Sequence, residues 1–172
     1  ELYSSLMEEK GLPPLPTWVQ APEHLAMGPK DLILTTFKVG TQIHSRSQNC
    51  KWLTEIFHDN PGWINPVTAA NLGIANGDAI KVTSSIGAIT TKARVTPAVV
   101  PGVIAISHHC GHWEYGRYAS ANKAPMGAED GDDKRKWWTS NGVHPNWIIP
   151  NAPDPINGQM RFMDTVVQVT KV

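Results

Sequence analysis

Between Asn65 and Ile106 a turn signal falls at every join, and that punctuation restricts this part of the chain to one short helix followed by three strands. Pro66 suits a first helical turn, because its fixed φ is already helical and its missing N–H has no intrahelical partner to lose. Residues 66–72 therefore read as a helix, with Gly73 as its stop. Asn76, Gly77 and Asp78 form a tight-turn signal, after which residues 79–84 alternate apolar and polar with period two. Gly87 turns the chain into a second strand at 88–95, and Pro97, Pro101 and Gly102 punctuate before the apolar run 103–106. Such a unit carries no chemistry of its own. It reads as a scaffold, and function has to be sought in what it holds up.

Charge and composition remove several classes of function. Lys plus Arg and Asp plus Glu both number 15, so the net charge is zero. A nucleic-acid binder, which draws its affinity from clustered basic residues neutralising phosphates, is not expected. The one dense charge run, residues 129–136, is acidic and then basic, and reads as a solvated loop. Two cysteines, Cys50 and Cys110, are too few and too distant for a zinc or iron–sulfur framework, and no disulfide is required. No run of about 18 apolar residues marks a membrane-spanning helix. The first residues, without Met or a signal pattern, read as the inside of a longer polypeptide. With 14 Gly, 14 Pro and seven Trp in 172 residues, a loop-rich β protein with aromatic-lined surfaces is expected.

Residues 1–30 form a Pro-rich arm, read as the end of a preceding domain, and 31–172 form the domain proper. Residues 2–9 can make a short helix, but Gly11 and the prolines at 13, 14, 16, 22 and 29 stop a packed element from continuing, leaving Trp18 as the expected anchor. Residues 31–37 are a buried-strand signal, 38–49 a polar loop and 52–57 a short amphipathic helix. After the central unit come 107–118, rich in His, then a long polar stretch to Ser140, turn-dense segments to Gly158, and an alternating strand at 165–172. The expected fold is mainly β with short helices: a barrel-like single domain with an N-terminal arm. Its polar loops fall after the first strand, after the Val103 strand and before the last strand.

The cluster His108, His109, Cys110 and His112 raises a metal site, but Gly111 within it and a strand feeding into it oppose the helix that an i, i+4 zinc pair needs. A loop offering imidazoles and backbone N–H groups to a polar ligand is the better reading; a small zinc enzyme is the competing one. Cys110 as an activated nucleophile is disfavoured against a buried structural thiol, since sequence neighbours in an extended strand point to opposite faces. The carboxylates lie mostly in the arm (Glu8, Glu9, Glu23) and the 129–133 loop, and no pair stands out for glycoside hydrolysis. The loop from Thr35 to Asn49 suits a large anionic ligand, with His44 or Arg46 placed to meet a diphosphate.

In combination these segments are more specific. A strand ending in Leu34-Thr-Thr-Phe37 leads to the His-Ser-Arg-Ser-Gln-Asn loop and then to Trp52-Leu-Thr-Glu-Ile. The block from Asn65 to Asp78, with its P-x-x-A-x-x-L-G-I-x-x-G-D pattern, is followed by Val100-Pro-Gly-Val, Gly111-His, Asn146 and the closing Asp154-Pro-Ile-Asn-Gly158. From about Leu32 onward the chain resembles the C-terminal molybdopterin-dinucleotide-binding domain of the dimethyl sulfoxide reductase superfamily. The resemblance implies a double-psi β-barrel that caps the catalytic subunit of a molybdenum or tungsten oxidoreductase of anaerobic respiration and electron transfer. It implies molybdopterin guanine dinucleotide (bis-MGD) with Mo or W as cofactor, and an iron–sulfur cluster only in an N-terminal part that this chain lacks.

Carried over by position, the candidate cofactor-binding residues are Thr35, Thr36, Phe37, His44, Ser45, Gln48 and Asn49 from the first loop, His108 and His112 from the second, and Trp138 and Asn146 from the third. Members of the family often have a Lys or Arg just after the closing turn; here that contact is either lost or moved to Arg161. No catalytic or metal-ligating residue is expected in this piece, which is not active alone. The implied partners are the remaining domains of the same subunit, an iron–sulfur electron-transfer subunit and a membrane anchor subunit, with no nucleic acid. A prokaryotic membrane complex, on its periplasmic or cytoplasmic face, is the implied setting. The arm and residues 142–147 lean toward members handling polysulfide, thiosulfate, tetrathionate or arsenate. The alternative is a double-psi barrel serving as an interaction module without pterin, since one fold hosts many functions.

Overall fold

The computed structural model describes residues 3–15, 17–47, 50–111 and 142–172. The polar stretch 112–141, including the 129–136 charge run, lies outside them, as do Gln48, Asn49, His112 and Trp138.

Six strands close into a barrel: β1 (Asp31–Phe37), β2 (Gly62–Ile64), β3 (Ala79–Thr83), β4 (Ala88–Val95), β5 (Val103–Ser107) and β6 (Thr165–Lys171). Their order round the barrel is β1-β5-β2-β4-β3-β6. Two pairings are parallel, β1 with β5 and β2 with β4, and the rest are antiparallel. These parallel pairs force the connections to cross over the barrel, as in a double-psi barrel. Alternation along the strands explains which side each residue takes. Leu32, Leu34, Ile64, Ile80, Val82, Ile104, Ile106, Val167 and Val169 point inward and are buried, and Ile148 joins them from outside the strands.

The central unit folds as its turn signals require. Helix α4 (Pro66–Asn71) has Pro66 in its first turn, and the Asn65 side chain accepts from the Val67 N–H. Gly73 and Gly77 take φ of 67° and 89°, the left-handed region that glycine enters freely. Asp78 then locks the turn. Its carboxylate accepts from the Ala75 N–H at 2.7 Å and pairs with Lys171 Nζ at 2.8 Å, so the turn is clamped to the end of β6. The Lys171 contact, followed by the Ala75 N–H, holds the Asp78 carboxyl below the ordinary carboxylate range. The closing Asp154-Pro-Ile-Asn-Gly158 segment is a self-contained turn: Asp154 Oδ1 accepts from the Ile156 and Asn157 N–H groups, each at 2.9 Å.

The arm differs from expectation in two ways. Besides α1 (Ser5–Glu9) it contains a second short helix, α2 (Pro22–Leu25), again with proline at its first turn. Trp18 is not its anchor, being 83% exposed. The ties lie just beyond it: Glu23 pairs with Arg161 at 3.1 Å, and His24 Nε2 meets the Asp164 carbonyl at 2.8 Å. Helix α3 (Lys51–Ile56) leaves Trp52 exposed and buries Thr54, whose hydroxyl bonds back to the Cys50 carbonyl.

Candidate functional site: an imidazole cluster at one end of the barrel

Parallel strands send the loops that follow them out at the same end. Because β1 and β5 are parallel, with Phe37 opposite Ser107, the loop after β1 and the residues after β5 emerge side by side. β2 runs antiparallel to β5, so the residues that precede β2 reach that same end. The segment from Gly142 to Trp147 completes it.

His44 opens a 3₁₀ turn (His44–Ser47) with φ of 49°, an uncommon value for a residue other than glycine. The turn is held from beneath by Gln42, 1% exposed, whose Nε2 donates to the Leu53 and Phe57 carbonyls at 3.0 and 2.8 Å. The Ser47 hydroxyl bonds to Gln42 Oε1 and accepts from the Ile43 N–H. Gln42 thus fixes both the loop and α3 behind it. The His44 ring stacks on His108, with centroids 4.5 Å apart and planes inclined by 27°. His108 Nε2 is buried and meets no hydrogen-bond partner among the described residues.

His144 is the third imidazole. It precedes the 3₁₀ turn Pro145–Ile148, and its Nδ1 accepts from the Asn146 N–H at 3.3 Å. Burial lowers the pKa of His144 and of His108, and for His108 the positive fields of His44, His144 and Lys38 act in the same direction. Among the described residues no carboxylate offsets them at His108. His108 and His144 are thus both shifted toward the neutral imidazole, His108 beside the His44 ring and in the field of Lys38.

His109 is placed differently from its neighbours. It turns into the interior, 2% exposed, with Ser107 Oγ at 2.9 Å from Nδ1 and its ring 5.2 Å from that of Phe57. Desolvation lowers its pKa to about 4. Cys110 is buried too, as a structural thiol would be.

Of the residues suggested by sequence, the structure brings together His44, Ser45, His108 and Asn146 at this end. Thr36 faces the barrel interior and is buried, Phe37 packs on Trp63 at 4.8 Å, and Thr35 Oγ1 contacts Met163 Sδ at 3.3 Å. Arg161 is engaged by Glu23 and Asp164, at 3.1 and 3.0 Å. A cavity of about 540 Å³ lies there, lined by Glu23, Asp31, Thr83, Arg161 and Gln168, away from the imidazoles. Gln42, Asn60 and His144 carry no sequence pattern that marks them as part of this site. The only local sign was a polar residue beside a proline in His144-Pro145 and Asn60-Pro61, which also describes any turn.

The imidazoles thus sit together at one end of a closed six-stranded double-psi barrel. The family model of the molydopterin dinucleotide binding domain matches residues 32–166, and the chain belongs to that family. It is 34% identical over 111 residues to the arsenate respiratory reductase molybdopterin-containing subunit ArrA of Shewanella sp. (strain ANA-3), covering 59% of this chain and 13% of that protein. It is 26% identical over 162 residues to the thiosulfate reductase molybdopterin-containing subunit PhsA of Salmonella typhimurium, covering 92% of this chain and 18% of that one. Among solved structures, acetylene hydratase from Pelobacter acetylenicus shares the fold, with a TM-score of 0.69 and 21% identity over 99% of this chain and 23% of that one. The chain thus spans under a fifth of the length of these two reductase subunits.

The donor set fits a phosphorylated dinucleotide. A buried imidazole nitrogen without a partner among the described residues, stacked on a second imidazole and in the field of Lys38, matches the oxygens of a diphosphate in hydrogen-bonding type.

Proposed function

We propose that the chain is the cofactor cap of the catalytic subunit of a molybdenum or tungsten bis-pterin oxidoreductase, with residues 31–172 as the cap and 1–30 as an arm from the preceding domain. The observation that carries this reading is the His44–His108 stack with the unpartnered His108 Nε2. In this reading His44, His108 and His144 receive the diphosphate of a molybdopterin guanine dinucleotide, Lys38 adds charge, and Ser45 and Asn146 offer groups at the rim. When bound, the pterin-held metal supplies the redox chemistry. The residues of this chain bind and orient the dinucleotide and exclude water from it. Gln48, Asn49, His112 and Trp138 complete the candidate set, and Thr35, Thr36 and Phe37 lead the chain into it. Iron–sulfur clusters belong to other parts of the enzyme, and an electron-transfer subunit and a membrane anchor are the partners this role calls for.

The test has two arms. Titrating the chain with guanosine diphosphate in buffers of different ionisation enthalpy should show binding with proton uptake at pH 7, because an anion raises imidazole pKa values that burial had lowered. In the complete catalytic subunit, the double substitution His44→Ala with Asn146→Ala should reduce pterin and metal content. Binding without proton uptake, or unchanged cofactor content, would sink the assignment of these loops.

A further inference from the structure

We propose that Asn60 is the positioning residue of this site: one buried carboxamide sets the separation of His108 from His144 by holding the residue that immediately precedes each of them. Its relevance to the cofactor rests on the function proposed above, but the geometry stands independently.

Asn60 is 1% exposed and bonds to two segments far from it in sequence. Its Nδ2 donates to the Ser107 carbonyl at 2.6 Å and to the Val143 carbonyl at 2.7 Å, and its Oδ1 accepts from the Val143 N–H at 2.7 Å. Two carbonyls and one N–H around a single amide fix which atom is nitrogen, so the orientation is unambiguous. Ser107 ends β5 and precedes His108; Val143 precedes His144. The Asn60 backbone is itself held to the barrel, its carbonyl accepting from Thr91 Oγ1 at 3.4 Å on β4.

Two glycines let these segments close on one another. Gly142 and Gly111 have φ of 80° and 84°. A Cβ on Gly142 would overlap Asn60 Oδ1 and Cys110 Cβ, and one on Gly111 would overlap the backbone of Val143 and His144. Residues 110–111 therefore lie directly against 142–144, with the Asn60 carboxamide at the junction. A buried amide with both N–H groups and its oxygen engaged leaves little freedom for either loop to slide. The imidazole spacing follows from that junction, since each ring is one residue from a clamped peptide.

The test compares imidazole titration in three forms of the chain, read by NMR of the ring carbons. Asn60→Leu keeps the approximate size and removes every hydrogen-bonding group. Val82→Ala removes core packing without touching the junction. In Asn60→Leu the pKa values of His108 and His144 should both rise toward the ordinary value as the loops part and the rings are hydrated, while the methyl signals of Ile64, Ile80 and Ile104 stay dispersed. Val82→Ala should leave both pKa values where they are. Guanosine diphosphate affinity should fall by about tenfold or more in Asn60→Leu, the scale of one to two lost hydrogen bonds.

A folded Asn60→Leu chain with unmoved imidazole pKa values overturns the proposal, as does an equal shift in Val82→Ala. If Asn60→Leu fails to fold, hydrogen exchange of the Val143 amide in the unaltered chain decides. Slow exchange supports the junction, and exchange at the rate of an open loop overturns it. If the pKa values move as expected but the unaltered chain does not bind guanosine diphosphate, the positioning role stands and the cofactor assignment of this end is what fails.

Discussion

His109 makes the stability of this domain sensitive to mild acid, and the size of the effect can be worked out. In the folded chain its ring is 2% exposed and its pKa lies at about 4, against an ordinary value of 6.5. A depressed folded pKa means that the unfolded chain binds the proton first. The histidine's contribution is therefore fully present above pH 6.5 and is lost as pH falls toward 4. Those two values give a loss of about 2 kcal/mol at pH 5, rising to about 3 kcal/mol at pH 4. Against a typical domain stability of about 5–15 kcal/mol, that is a substantial share. His108 and His144 are shifted in the same direction and add to the slope, so the share of His109 has to be isolated by substitution. Urea denaturation at pH 7.5, 6.5, 5.75 and 5 should be run on the chain and on His109→Asn, which keeps a polar atom near Ser107 Oγ but cannot titrate. With a urea slope of about 1–3 kcal/mol per M, the midpoint of the unaltered chain should fall by about 1 M more than that of the variant. Comparing each protein with itself across pH cancels whatever the substitution costs at pH 7.5. Stopping at pH 5 avoids the carboxylates Asp78, Asp154 and Glu23, whose lowered pKa values release their stabilisation only at more acid pH. Equal pH slopes for the two proteins would refute the reasoning.

Three further outcomes are expected. Gly142→Ala should destabilise the chain by about 3 kcal/mol, combining a left-handed φ with overlap at Asn60 and Cys110, and a loss below about 1 kcal/mol in urea unfolding would contradict the packing described. In Lys171→Met the Asp78 carboxyl, followed by carbon-13 NMR, should titrate closer to the ordinary carboxylate range, and an unmoved value would show that the Ala75 N–H alone sets it. Arg161→Ala removes the guanidinium that joins Glu23 to Asp164, so limited proteolysis should cut the arm faster while the barrel core stays resistant; unchanged arm cleavage would mean that His24 suffices.

The parts of the fold legible in the sequence were those decided by near neighbours. Pro66 opening a helix, Gly73 stopping it, the Asn76–Asp78 turn and the turn at Asp154–Gly158 all act within a few residues, and each is a pattern that reads directly. The alternating strands were equally plain, since inward and outward faces are written with period two. The arm was harder: Pro22 read as a breaker, although proline after Ala21 serves equally well as a helix start. The site was legible only in part, and for a physical reason. His44 and His108 could be suspected because they sit in polar loops at strand ends. What holds them could not, because Asn60 reaches partners 47 and 83 residues away and reads locally as a turn residue before Pro61. Gln42 looked like any hydrophilic loop residue, yet it is buried by α3, whose last turn it bonds. The family's basic residue after the closing turn is, by sequence, either lost or moved to Arg161, whose guanidinium is shared between Glu23 and Asp164.

The order of strands in the closed barrel has a consequence for how the chain is made. β6, the last strand in sequence, sits between β1 and β3 and joins them. A chain emerging from the ribosome N-terminus first presents β1 to β5 long before the sealing strand exists. Residues 108–164 separate the end of β5 from the start of β6, an interval of about 3–11 s at a synthesis rate of about 5–20 residues per second. Throughout it, β1 and β3 each expose an unpaired row of peptide groups, the kind of edge on which strands from other chains add. Register protects β3 only partly, since Lys81 faces outward between two inward apolar residues, and β1 less, since Leu32 and Leu34 alternate with Ile33. Until β6 arrives such a sheet has two open edges, of which β1 is the more apolar.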